Sequence, residues 1–157
     1  MSVDDRLPER LQGALGVEVT LAVDMPVVQV PAGQVLAAAR ALRDQFGLDM
    51  LLDVTAVDWL GQSPRFEVVW HFLSTSSLER VRLKTRVPED DPAVDSLTPL
   101  YSSAAFMERE CHDMFGIRFR GNNDLRPILL YEGFVGHPLR KDYPKQQEQP
   151  LVPYRDA

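Results

Sequence analysis

Glu108, Arg109, Glu110, His112 and Asp113 crowd into "ERECHD", a dense cluster of titratable groups. On a helix, Glu108 stands four residues before His112 and Arg109 four before Asp113, so each pair can meet on one side. Two carboxylates flanking an imidazole that titrates near neutrality could move protons, as a general acid–base group does. The plainer reading of the same residues is surface ion pairs beside a loop.

Other chemistry is poorly signalled. Cys111 is the only cysteine, which removes a disulfide framework, a CxxC redox pair and a cysteine-held iron–sulfur cluster. A zinc set of Cys111, His112 and His137 fails on spacing, because adjacent helical residues project ~100° apart. GxSxG, GxGxxG and Walker motifs are all absent. Asp53 and Asp58 lie at opposite strand parity. Arg80, Arg82, Lys84 and Arg86 share one strand face, either an anion surface or a solvated face that discourages edge pairing. Without alternating aromatic platforms, nucleic acid is disfavoured. Downstream, "GHPLRKDYP" frees the backbone at Gly136 and forbids helix at Pro138 and Pro144, so Arg140 and Lys141 project from extended chain.

Alternation in "VEVTLAV" predicts a strand over 17–23, and Met25 to Val30 a second, bounded by Pro26 and Pro31. Val35, Ala39, Leu42 and Phe46 recur at helical spacing, with Gly47 placed as a cap. "LDMLLDVTAVDW" reads as a strand with Leu48, Met50, Leu52, Val54 and Ala56 on one face. Phe66, Val68, Trp70 and Phe72 then face Val81, Leu83, Thr85 and Val87. A four-residue loop, Ser74 to Ser77, pairs Trp70 with Val81, Val68 with Leu83, Glu67 with Lys84 and His71 with Arg80. A helix follows from Leu97 to Phe115, ended by Gly116. The expected fold class is α+β. It has two layers, with helices on one face of a mixed or antiparallel sheet, and an extended C-terminal arm follows.

The domain is expected over 1–116 and the arm over 117–157. The arm carries five prolines after Gly116 yet keeps Ile117, Phe119, Ile128, Leu129, Leu130, Tyr131, Phe134, Leu139 and Tyr143. That is too apolar for a linker, so burial partly on another protein is expected. With 157 residues, 45% hydrophobic and 25% charged, the composition is that of a globular domain. No apolar run approaches the ~18 residues of a membrane span, and "MSVDDRLPER" is too acidic for a signal peptide. A soluble, cytoplasmic protein is expected. The net charge of −6 disfavours a dedicated nucleic-acid binder and sits in residues 1–107, with 9 basic and 15 acidic side chains.

"ERECHDMFGIRF", "DLRPILL" and "GHPLRKDYP" in that order closely resemble the signature region of the C-subunit family of proton-pumping NADH–quinone oxidoreductase, respiratory complex I. "DVTAVDW" and "RFEVVWHFLS" resemble it more loosely. The resemblance implies a cofactor-free member of the peripheral arm, with FMN and iron–sulfur clusters in partner subunits. It also implies that the C-terminal segment packs on the complex's D subunit, near its B and I subunits, at the cytoplasmic side of the bacterial inner membrane. Carried onto this chain, the motif residues are Glu108, Arg109, Glu110, Asp113, Phe115, Gly116, Arg126, Gly136, His137, Pro138, Leu139, Arg140, Lys141, Asp142, Tyr143 and Pro144. Glu108, Arg109, Glu110 and Asp113 are expected as a structural charge cluster, and Leu139 to Tyr143 as partner contacts. Two positions depart from the family pattern: His112 stands where an aromatic is usual, and Phe106 where Trp is frequent. Two alternatives carry over: the same subunit type in a membrane hydrogenase or other quinone-linked complex, and a stand-alone acid–base enzyme using Glu108, His112 and Asp113.

Overall fold

The computed structural model describes residues 6–146; the opening "MSVDD" and residues 147–157 of the expected arm lie outside them. Helix α1 (Leu7–Leu15) sets Leu7 and Leu11, one turn apart, into the core. Strands β1 (Val19–Leu21) and β2 (Pro26–Gln29) follow. Helix α2 (Val35–Phe46) buries Val35, Ala38, Ala39 and Leu42 and ends at Gly47, whose φ of 68° is open to a residue without Cβ. Strands β3 (Met50–Asp58), β4 (Phe66–Leu73) and β5 (Arg80–Val87) complete a five-stranded sheet in the order β1-β2-β5-β4-β3. All its pairs are antiparallel except β2 with β5, which is parallel. The architecture is the expected mixed α+β arrangement.

Phe66, Val68, Trp70, Phe72, Val81, Leu83 and Val87 are all fully buried, so the apolar face of the central hairpin falls where alternation puts it, while on the other face of β4 Glu67 and Val69 are buried too. The pairing differs from the expected register by two residues. Trp70 lies opposite Leu83, Val68 opposite Thr85 and His71 opposite Arg82, with Leu73 facing Arg80. The loop therefore spans Ser74 to Glu79, closed by the Ser74 hydroxyl on the Ser77 amide and by Leu78 at φ 61°. A slip of two conserves side-chain parity, which is why the faces survive. Glu67 stands opposite Arg86, but its carboxylate still reaches Lys84 diagonally at 3.1 Å.

A bulge between Leu51 and Asp53 corrects the expected face of β3. Leu51 is buried while Met50 and Leu52 are exposed, because the extra residue reverses parity upstream of Val54. The third helix also starts later than expected: α3 spans Ala104–Phe115. Residues 97–103 form turns instead, with Pro99 among them and the Leu97 amide captured by the Glu108 carboxylate at 2.7 Å. Two short strands flank α3, β6 (Ala93–Asp95) and β7 (Arg118–Arg120), paired in parallel. They were invisible as three-residue runs. β7 continues the domain past Gly116, with Ile117 and Phe119 buried in the core. From Gly121 to Gln146 the chain has no regular element.

Candidate functional site

The β6–α3–β7 unit positions the signature residues. Pairing of β6 with β7 brings Ser96 and Asn122 to one end of the helix, and Glu108 lies between them, fully buried. Its carboxylate accepts the Ser96 hydroxyl at 2.8 Å, the Leu97 N–H at 2.7 Å and the Asn122 side-chain amide at 2.9 Å. Burial pushes the Glu108 carboxyl above the usual range, and these three donors oppose that rise.

Asp113 performs a related task one turn on. One carboxylate oxygen accepts the N–H groups of Ile128, Leu129 and Leu130 at 2.7, 3.0 and 3.3 Å. Burial raises its pKa, but the three amides outweigh that and hold the carboxyl below its usual range. Arg109 secures the same stretch through the carbonyls of Arg126 and Pro127, both at 2.9 Å. The expected pairs Glu108–His112 and Arg109–Asp113 therefore do not form. Each side chain instead satisfies loop backbone, whose buried polar groups demand partners. Glu110 is exposed, and Arg126 lies at the surface in a two-point pair with Asp124.

"GHPLRKDYP" returns to the C-terminus of the same helix. An α-helix ends with four carbonyls lacking intrahelical partners. Here His112 O accepts the Gly116 N–H at 2.7 Å and Asp113 O the His137 ring N–H at 2.9 Å. Met114 O accepts the Leu139 N–H at 3.1 Å, and Phe115 O accepts Arg140 Nε at 2.7 Å. Gly116 (φ 74°) is required twice over: it turns left-handed, and a Cβ would lie 2.5 Å from both Arg140 Nη2 and His137 Nε2. At Gly136 (φ 96°) a Cβ would meet the Tyr143 ring at 2.9 Å.

Beyond Arg140 the segment reaches a buried guanidinium that sequence reasoning missed. Arg65, only 2% exposed, holds Asp58 through Nε and Nη2, both at 2.8 Å. Its Nη1 reaches Glu89 at 2.6 Å and Asp142 at 2.9 Å. The Lys141 N–H donates to Asp58 at 2.8 Å. The guanidinium groups of Arg65 and Arg140 each lie 4.9 Å from the centre of the buried Phe66 ring. Hydrogen bonds from Arg65 hold Asp58 and Asp142 below the usual carboxylate range. The β3–β4 register pairs Asp58 with Phe66, placing Arg65 beside Asp58; pairing those two strands by sequence would have revealed it.

The loop between these anchors borders an open cleft of about 150 Å³ lined by His112, Asp113, Leu130, Phe134 and His137. The two imidazoles meet edge-on at 6.2 Å. His112 donates through Nδ1 to the Ile117 carbonyl at 2.9 Å. Both rings thus serve backbone, and no group of three His, Cys, Asp or Glu side chains among the described residues could hold a metal ion. Cys111 is buried, and burial drives its thiol far above its usual range.

A β6–α3–β7 unit whose acids and arginines fasten its own loops defines a structural module. The chain belongs to the family described as respiratory-chain NADH dehydrogenase, 30 Kd subunit, whose model matches residues 28–149. It is 45% identical over 141 residues to the C subunit of NADH-quinone oxidoreductase from Citrifermentans bemidjiense, covering 90% of this chain and 87% of that one. The corresponding C subunit from Moorella thermoacetica is 43% identical over 131 residues, covering 83% and 88%. Among solved structures, the trypsin-resistant fragment (1-134) of Nqo5 superposes with a TM-score of 0.66 at 29% identity, over 77% of this chain and 98% of that one. A chain of the membrane-bound sulfane sulfur reductase, an archaeal respiratory membrane complex, shares the fold at 24% identity and a TM-score of 0.77, over 88% and 84%.

Proposed function

We propose that this chain is a non-catalytic peripheral-arm subunit of an NADH–quinone oxidoreductase. It scaffolds the quinone-reducing module while FMN and iron–sulfur clusters in partner subunits carry electrons from NADH. In that reading it packs with the D, B and I subunits on the cytoplasmic side of the inner membrane. No described helix is long and apolar enough to cross a membrane, which fits attachment through partners.

The observation that carries the reading is the employment of the signature residues. Glu108, Arg109, Asp113, His137 and Arg140 each hold backbone or side chains of this chain. A stand-alone acid–base enzyme would need the Glu108 carboxylate within reach of a substrate, and it is sealed beneath Ser96, Leu97 and Asn122. Exposed Leu129, Val135 and Leu139 supply apolar surface for a partner.

The test is a tagged-chain pull-down from solubilised membranes on a native gel stained for NADH dehydrogenase. Migration in a large NADH-active complex is expected. A large complex without that activity would transfer the reading to a hydrogenase-like relative, and a free monomer would end it.

A further inference from the structure

We propose that His137–Tyr143 is an intramolecular strap that closes on the chain's own domain without help from any partner, fixing the loop ahead of it before assembly. The inference stands on the geometry of this chain and does not depend on the proposed function.

Three kinds of contact fasten the strap. The last carbonyls of α3 are taken in succession by His137, Leu139 and Arg140, so the strap supplies caps that a helix end otherwise seeks from water. Arg140 also brings a cation to the negative end of the helix dipole. Second, its charge complements the site it covers. Arg65, Asp58 and Glu89 form a cluster of formal charge −1, two of them almost wholly buried; Arg140, Lys141 and Asp142 together add +1. Closure therefore leaves the buried carboxylate of Asp58 with a guanidinium on one side and the Lys141 amide on the other. Third, Phe134 stacks on Tyr143 at 6.1 Å and Tyr131 meets Phe134 edge-on at 5.4 Å, tying the loop to the strap.

The loop is thereby gripped at both ends by one residue of α3. The Asp113 carboxylate takes three amides where the loop begins, and the Asp113 carbonyl takes His137 where it finishes. Loops whose ends are held close and that are packed by their own side chains are compact.

Amide hydrogen exchange followed by NMR on the purified full chain tests this. The Leu139 and Lys141 amides, donors to Met114 O and Asp58, should exchange at least about 100-fold slower than in an unstructured peptide. In Asp142→Ala and in Arg140→Ala that protection should fall at least about 10-fold, with β4 amides unchanged. Exchange at peptide rates in the wild-type chain overturns the proposal, as strap closure would then require a partner. Unaltered protection in both variants overturns the fastening by charge. Should either variant lose β4 protection as well, the wild-type rates alone decide. The pull-down can fail while these amides stay protected, and the reverse, so the two ideas are separable.

Discussion

At the residue scale, carboxylates that promised proton chemistry are occupied by backbone and side-chain donors of this chain, and their contribution can be measured. Asp113→Asn keeps shape but offers three amides a neutral acceptor; since hydrogen bonds to charged groups contribute ~1.5–3 kcal/mol, a loss of about that size is expected in denaturant unfolding. Glu110→Gln, on the exposed side, should stay within about 0.5 kcal/mol. The two buried acids also respond to pH with opposite signs. Asp113 lies below its usual range, so its stabilisation is full above the unfolded value near ~3.9 and is lost as pH falls through the folded value. Glu108 lies above its range, so its stabilisation is full below ~4.3 and is lost as pH rises through the folded value. The stability of wild type relative to Glu108→Gln should accordingly decline as pH is raised from about 4 towards neutrality, read by urea titration at each pH. A flat difference would mean that Glu108 is ionised in the fold without penalty.

At the element scale, glycine caps let the strap be tested against an ordinary helix end. Gly47 and Gly116 both terminate helices with positive φ, but a Cβ at Gly47 meets only Ser74 Oγ at 3.8 Å. Gly47→Ala should cost about 1–2 kcal/mol for the left-handed backbone alone. Gly116→Ala should cost more, because it also displaces Arg140 and His137; thermal melts of the two variants compare them directly. Elements whose pattern is long were legible in the sequence. The α2 stripe and the β4–β5 alternation predicted faces, caps and parity. What escaped was decided by contacts between distant segments: the two-residue register shift set by Ser74 and Leu78, the bulge at Leu52 that swaps Leu51 inward, and β6–β7, too short to carry a period. The motif residues themselves were legible through family resemblance, whereas their partners were not, since Arg65 gains meaning only once β3 lies beside β4.

At the scale of the whole molecule, the Arg65 cluster joins the end of β3, the segment after β5 and the strap. Removing the guanidinium by Arg65→Met leaves the Asp58 charge buried without its cation, held only by the Lys141 N–H, and about 3–5 kcal/mol of stability should be lost in denaturant unfolding. Arg65→Lys should fall between that variant and wild type, because an ammonium cannot grip Asp58 at two points while meeting Glu89 and Asp142. The double anchorage of the loop on α3 has a further effect on what the family can change. With both ends pinned on Asp113, added residues near Glu132 and Gly133 would lengthen a closed ring while leaving the Asp113 fastenings in place, at the expense of the Tyr131–Phe134 contact and its turn. The entropy of closing a ring grows only with the logarithm of its length, about 0.6 kcal/mol per doubling. The outward tip can therefore grow to suit a different neighbour for little more than the loss of one ring contact and one turn, while Asp113 keeps its hold on both ends.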